Sequence, residues 1–187
     1  MTDPTLQALA ATRAAQEKRY NSARSNILIA VILTVVNMAL YSANSYFLFS
    51  AAVPYYLFTM GMLFGGGFPD SFYLEIGVDP LPFDASILFG MVIPAVLILA
   101  ALFLCWLFSG KGRVGWMIAA LVLFAVDTVG MVLLETMSKN LILNIVFHIA
   151  LIVYLVMGIA AHFKLKKLPV ITEADLAPAE TDTPIAP

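Results

Sequence analysis

Charged residues are scarce in this chain of 187 residues. Lys, Arg, Asp and Glu together make up 12% of it, hydrophobic residues make up 61%, and the mean hydropathy is +0.94. A soluble domain is typically about 25% charged and about 45–50% apolar, so too few charged side chains are present to cover a water-facing surface. We therefore expect an all-α, multi-pass membrane protein, with the lipid bilayer as the solvent for much of the chain.

Cysteine and histidine are also scarce, with one Cys and two His. The single Cys105 excludes an intrachain disulfide, a CxxC redox pair and a thiolate zinc site. His148 and His162 lie in one predicted helix, about 21 Å apart along its axis, so they cannot share a metal ion. No nucleotide-binding or hydrolase motif is present, and a net charge of −2 gives no basis for nucleic-acid binding. The sequence predicts no enzyme activity, no cofactor and no metal site.

Four apolar runs are long enough to cross a bilayer, which takes about 20 residues. They cover residues 26–44, 85–108, 114–137 and 141–162. Asp84 is placed to cap the start of the second run, and Gly110 and Gly112 are placed to end it. Small residues on one face of that run, Gly90 among them, suit a close approach between helices.

The distribution of Lys and Arg decides between four spans and five, because cytoplasmic loops carry the excess of these residues. With four spans and a cytoplasmic N-terminus, nine of the ten Lys and Arg residues lie inside and only Lys139 lies outside. A fifth span at residues 46–64 would divide them five to five. We therefore predict four spans with both termini cytoplasmic, in a bacterial inner membrane, and a 46–64 segment that lies along the outer interface or dips in and returns.

This topology predicts three parts. Residues 26–162 form a four-helix transmembrane domain, with an outer interfacial loop at 45–84 between its first two helices. Residues 1–25 form a cytoplasmic segment in which Asp3–Pro4 can start a short separate helix. Residues 163–187 form a basic anchor followed by a disordered tail rich in proline and acidic residues.

Half of the 22 aromatic residues fall within residues 46–83, a segment that has acidic residues but no Lys or Arg. One interpretation is an outward-facing cap that recruits a cation, an amphiphile or a partner protein. The other is an aromatic belt at the headgroup level with a solvated acidic loop. The glycine run at residues 65–67 lacks the Lys and Ser or Thr of a phosphate loop, so it predicts a turn.

Polar side chains inside the apolar runs are the most informative signal, because an ionisable group at mid-membrane costs roughly 2.5–3.5 kcal/mol or more. At about 100° per residue, the polar residues of each run share one face, and their depths overlap, so these faces can meet between the helices. The predicted intramembrane polar cluster comprises Asn37, Tyr41, Asn44, Asp127, Glu135, Asn144 and His148.

Two interpretations of this cluster remain open. In one, Asp127 and His148 form a proton- or cation-responsive pair whose geometry Asn37 and Tyr41 fix. In the other, the polar stripe holds the helices in register. The first functional hypothesis is a non-enzymatic accessory or assembly subunit that binds another membrane protein or forms a homo-oligomer. The alternative is a small transporter or channel with proton or cation coupling through Asp127 and His148.

Overall fold

A computed structural model describes residues 4–41, 50–134 and 141–171, and within these ranges the chain is helical and has no strand. Six helices follow one another: α1 (Pro4–Tyr41), α2 (Ala52–Phe64), α3 (Asp70–Glu75), α4 (Ala85–Ser109), α5 (Val114–Leu134) and α6 (Leu141–Leu165). Four of them, α1, α4, α5 and α6, are long and apolar enough to cross a membrane. The predictions of an all-α fold and of four such helices are confirmed for the described part of the chain, which indicates a membrane protein.

The two ends of the bundle differ in character. The basic end comprises the first half of α1, the turn at residues 110–113 and the C-terminus of α6, and it contains most of the Lys and Arg residues. The aromatic end comprises α3 and the loops on either side of it, at the start of α4. Asp84 begins α4 there, because its Oδ1 accepts from the backbone N–H groups of Ser86 (2.8 Å) and Ile87 (3.2 Å), which confirms the predicted cap.

Helix α1 differs from the prediction, because it is one continuous helix rather than a short helix followed by a span at residues 26–44. Tyr20 and Ala23 are buried and extend the apolar face of Ile27 by two turns towards the basic end. This face packs against α6 and α4, and that packing favours an unbroken helix. At 1.5 Å per residue, the 38 residues of α1 measure about 57 Å, well beyond a hydrocarbon core of about 30 Å.

Close approach between helices occurs at glycines other than Gly90, which has open space where a Cβ would lie. At Gly158 in α6, an added Cβ would collide with Ala23 of α1. At Gly130 in α5, it would collide with the side chain of Val53 in α2. These two positions let α1 and α2 approach the α5–α6 pair closely.

Helix α2 packs against α4, α1 and α5, and it is too short to cross a membrane, because its 13 residues measure about 20 Å. It packs antiparallel to α4: Gly61 and Gly65 lie against Leu88, and Tyr55 contacts the cluster that includes Leu99. α2 begins beside the middle of α5 and ends at the aromatic end, where Gly65 accepts from the N–H of Asp84 (3.0 Å). Whether residues 46–64 lie along the outer interface or dip into the membrane and return stays a prediction, and residues 46–49 lie outside the described part of the chain.

Candidate functional site at the start of helix α2

Helix α2 begins without a capping side chain of its own. The residue at its N-cap is Ala51, whose side chain has no polar atom to accept from the first-turn N–H groups. The first backbone N–H groups of any helix have no partner within the helix, and Pro54 removes one of them because proline has no N–H. The donors that need partners are therefore the N–H groups of Ala51, Ala52 and Val53.

Two other helices supply the missing acceptors. The carboxylate of Asp127 in α5 accepts from Ala52 N–H at Oδ2 (2.9 Å) and from Val53 N–H at Oδ1 (2.8 Å). The hydroxyl of Thr34 in α1 accepts from Ala51 N–H (2.8 Å) and donates to the carbonyl of Ala30 (2.7 Å). Every donor at the start of α2 is thus satisfied by a side chain from a neighbouring helix, which fixes α2 to both α1 and α5.

His148 of α6 completes the site. Its Nε2 lies 2.8 Å from Oδ2 of Asp127, and its Nδ1 lies 2.8 Å from the backbone carbonyl oxygen of Asn144. His148 is fully buried and Asp127 is 6% exposed. The pair joins α5 to α6 at the point where α2 begins, so four helices meet through one carboxylate, one imidazole and one hydroxyl.

The hydrogen-bond partners determine how many protons the pair holds. A carbonyl oxygen can only accept, so Nδ1 of His148 carries a proton and donates to Asn144. One further proton must lie between Nε2 and Oδ2, since a bare carboxylate facing a bare ring nitrogen would place two acceptors together. The pair is therefore neutral overall, as Asp⁻ with imidazolium or as a carboxylic acid with neutral imidazole.

The surroundings of Asp127 supply both hydrogen-bond donors and the positive end of a helix dipole. Its carboxylate accepts two hydrogen bonds from the first turn of α2, and its Oδ2 also lies 2.8 Å from Nε2 of His148. A helix N-terminus carries a partial positive charge that stabilises an anion, by up to about 2 kcal/mol in partly buried geometries. The proton that His148 and Asp127 share keeps the pair neutral overall, as burial in an apolar interior requires.

The structure brings some of the predicted residues together and separates others. Asp127, His148 and the backbone of Asn144 meet in one network. Asn37 is buried one turn beyond Thr34 on the same face of α1. Tyr41 instead packs in the aromatic cluster at the far end of α2, so it does not position the pair. Asn44 and Glu135 lie outside the described residues.

The aromatic cluster holds the other end of α2. It is formed by Phe68, Phe72 and Tyr73, which are buried, together with Tyr41. Phe68 and Phe72 stack with their ring centroids 4.2 Å apart, and Tyr41 lies 5.6 and 5.9 Å from them. The hydroxyl of Tyr73 donates to the carbonyl of Leu63 (2.7 Å), so it satisfies a backbone acceptor in the last turn of α2.

Sequence reasoning missed the capping role of Thr34 and Asp127 because the partners are backbone N–H groups, which no residue type reveals. One signal was present: Pro54 stands in the middle of an apolar run, and proline is tolerated in the first turn of a helix. Pro54 therefore marks a helix start within residues 46–64. The backbone N–H groups at that start need hydrogen-bond acceptors.

The basic end has its own inter-helical contact. Arg24 of α1 donates from Nε to the carbonyl of Trp106 (3.0 Å), and its guanidinium carbon lies 5.0 Å from the centroid of the Trp106 ring. Tyr20 donates to the carbonyl of Ser109 (2.7 Å). These side chains satisfy carbonyls in the last turn of α4, where the cation is also favoured by the helix dipole.

Across the described residues, no group of three or more His, Cys, Asp or Glu side chains is arranged to hold a metal ion. Comparison of the chain with family models, with curated proteins and with solved structures returned no match. The functional argument therefore rests on the geometry of this chain alone.

Proposed function

We propose that this protein is a non-enzymatic accessory or assembly subunit of a membrane complex. The observation that supports the proposal is a surface at the aromatic end on which large apolar side chains and carboxylates are exposed together. We call it the acidic cap surface. It consists of Leu74, Ile76, Val78 and Phe83 with Asp70, Glu75, Asp79 and Asp84.

Two features of the acidic cap surface favour a protein partner. Leu74 and Phe83 are each 65% exposed, and large apolar side chains exposed among polar ones are typical of interaction sites. The surface rests on the buried rings of Phe68, Phe72 and Tyr73, which give it a preformed shape. The carboxylates disfavour contact with anionic lipid headgroups, which leaves a protein as the better fit.

The buried pair is consistent with a structural role. Asp127 and His148 direct their hydrogen bonds to the first turn of α2, to each other and to the backbone of α6. Such a network holds the helices in register, which an assembly subunit needs in order to present a fixed surface to its partner.

The proposal includes a location. We infer that the protein lies in a cell membrane, such as a bacterial inner membrane, with the basic end and both termini on the cytoplasmic side. The support is the uneven distribution of Lys and Arg. A cysteine-accessibility scan in intact cells tests it: a cysteine in the 110–113 turn should react only after the membrane is permeabilised, and labelling in intact cells would contradict this orientation.

Site-specific photo-crosslinking in the native membrane tests the partner. A photoreactive residue at Leu74 or Phe83 should give a discrete adduct with another membrane protein, or with a second copy of this chain if it forms a homo-oligomer. The matched control is Val126, which is 63% exposed on α5 and should give only lipid adducts. Absence of a protein adduct at both cap positions, together with recovery of a lone monomer in mild detergent, would refute the proposal.

A second candidate function is a small transporter or channel with proton or cation coupling. One observation favours it: the pair of Asp127 and His148 lies at the N-terminus of a helix that starts in mid-bundle, as substrate sites of secondary transporters often do. Proteoliposomes that hold the protein would then show proton or cation flux, and Asp127→Asn would reduce it. Flux absent from the parent protein would exclude this function, and flux unchanged in the variant would remove Asp127 from it.

A further inference from the structure

A groove between α1 and α6 opens on the outer surface of the bundle and has a volume of about 170 Å³. Its walls are almost wholly apolar. It is lined by Ile29 of α1 and by Phe147, Ala150, Leu151 and Tyr154 of α6, with Asn26 as the polar member. Because the groove is open to the side, a chain-like ligand can enter it from the surrounding bilayer.

Polar and basic residues of α1 continue the line of this groove towards the basic end. Arg19, Ser22 and Asn26 are spaced at i, i+3 and i+7, which places them on one face of the helix. Arg19 lies two turns from Asn26, about 10 Å along the axis. The order along α1 is therefore an apolar wall, then a polar stretch, then a cation.

Helix α6 places a second cation at the same level. Tyr20 contacts His162, and Ala23 lies against Gly158, so position 19 of α1 stands opposite position 163 of α6. Lys164 is next to that level and projects about 40° from Ala150 by helical spacing, which places it at the Ala150 edge of the groove. Arg19 and Lys164 are both exposed.

We propose that this groove binds one anionic phospholipid. One acyl chain lies in the apolar groove, the ester groups lie beside Asn26 and Ser22, and the phosphate lies between Arg19 and Lys164. The sequence of apolar wall, polar stretch and cation pair matches the order of chemical groups along a phospholipid. The distance of about 10 Å between Asn26 and Arg19 spans two helical turns, which leaves room for the glycerol region.

Charge favours an anionic headgroup over a zwitterionic one. The nearest carboxylate on α1 is Glu17, which pairs with Arg13 at 3.0 Å. By helical spacing it projects from the opposite side of α1 to Asn26. No Asp or Glu occurs in α6. Among the side chains of α1 and α6, those nearest the basic end of the groove are therefore cationic, which is the condition for attracting anionic lipid.

Native mass spectrometry of the full-length protein in detergent tests the proposal, with phosphatidylglycerol and phosphatidylcholine of the same chain length as probes. The variant R19A/K164A removes the cation pair. Its control is K111A/R113A, which removes two cations from the α4–α5 turn. Ala150→Trp fills the groove without changing charge, and its control is Ala100→Trp on the exposed side of α4.

We expect the parent protein to retain one phosphatidylglycerol more tightly than phosphatidylcholine. R19A/K164A should weaken this binding roughly tenfold or more, the size expected for two cations at a membrane surface, and Ala150→Trp should weaken it comparably. Both controls should stay near the parent value. Equal retention of the two lipids, or equal loss in the two double variants, would overturn the proposal, because either result means diffuse attraction rather than a site. Unchanged binding in Ala150→Trp would also overturn it.

Discussion

Replacement of Asp127 by asparagine is the most direct test of the capped helix start. The substitution keeps the size of the side chain and replaces one oxygen by an NH₂ group. If that NH₂ group faces His148, it can donate to a neutral Nε2, but it then meets the N–H of Ala52, which has lost its acceptor. If it faces Val53 instead, the N–H of Val53 is unpaired. In either orientation one buried donor at the start of α2 is left without a partner.

The cost can be worked from the contacts. An unsatisfied buried donor costs about 1–3 kcal/mol, and loss of the carboxyl group at the N-terminus of α2 adds up to about 2 kcal/mol. Removal of an ionisable group from an apolar interior offsets part of this loss. We therefore expect Asp127→Asn to lower the free energy of unfolding by about 2 kcal/mol, with the damage concentrated at the start of α2.

Two measurements check this expectation. Thermal or denaturant unfolding in detergent gives the global value, and hydrogen exchange gives the local one. A change of about 2 kcal/mol corresponds to roughly 30-fold faster exchange at the amides of Ala52 and Val53. The matched control is Asp79→Asn, because Asp79 is an exposed loop residue and its replacement should change neither quantity.

The result that would refute the reasoning is an Asp127→Asn protein as stable as the Asp79→Asn protein, with slow exchange still present at Ala52 and Val53. A double-mutant cycle with His148→Gln adds a test of the pair itself. Residues in one hydrogen-bond network usually show coupling of about 0.5–3 kcal/mol. Strictly additive effects would mean that Asp127 and His148 act independently.

Three other substitutions test the contacts around the bundle. Gly130→Ala places a methyl group in the space of the first turn of α2 and should destabilise the protein by about 1–3 kcal/mol. The control Gly115→Ala lies at an open position and should be neutral or slightly stabilising. Similar melting temperatures for the two variants would contradict the packing of α2 against α5. Tyr73→Phe removes the hydroxyl donor at the end of α2 and should lower the free energy of unfolding by about 1 kcal/mol, with faster amide hydrogen exchange in the last turn of α2. The control Tyr154→Phe, at an exposed position, should have no effect. Equal exchange in the two variants would show that the Tyr73 hydroxyl is dispensable. Arg24→Ala should lower the free energy of unfolding by about 2 kcal/mol, because it removes a charged hydrogen bond and the contact with the Trp106 indole ring, and it should shift the tryptophan fluorescence. Arg24→Lys keeps the charge and should keep part of the stability. An Arg24→Ala protein with the parent's fluorescence spectrum and stability would rule out this contact.

The location of the candidate pair could be predicted in part from the sequence. Asp127 and His148 were identified because an ionisable residue in an apolar run needs a partner at the same depth, and depth follows from the rise per residue. The same reasoning placed Tyr41 in the cluster on helical spacing alone. Tyr41 belongs to the aromatic cluster because it lies seven residues beyond Thr34 towards the aromatic end, where the rings of Phe68 and Phe72 fill the available space.

The sequence by itself determined the features that follow from composition and spacing. The shortage of charge and the length of the apolar runs predicted an all-α chain with four helices able to cross a membrane, and Asp84 marked the start of α4. These are local properties, because they depend on residues close together in the chain.

Only the tertiary structure decided where α2 begins and what holds it there. Its first-turn donors are backbone groups common to every residue except proline, so nothing in the local sequence names their acceptors. Those acceptors come from Thr34 and Asp127, which are 17 and 75 residues away from the positions they cap. The physical reason is that a helix starting inside an apolar bundle must satisfy its N–H groups there, and only the packing of α1 and α5 against it brings the oxygens within reach.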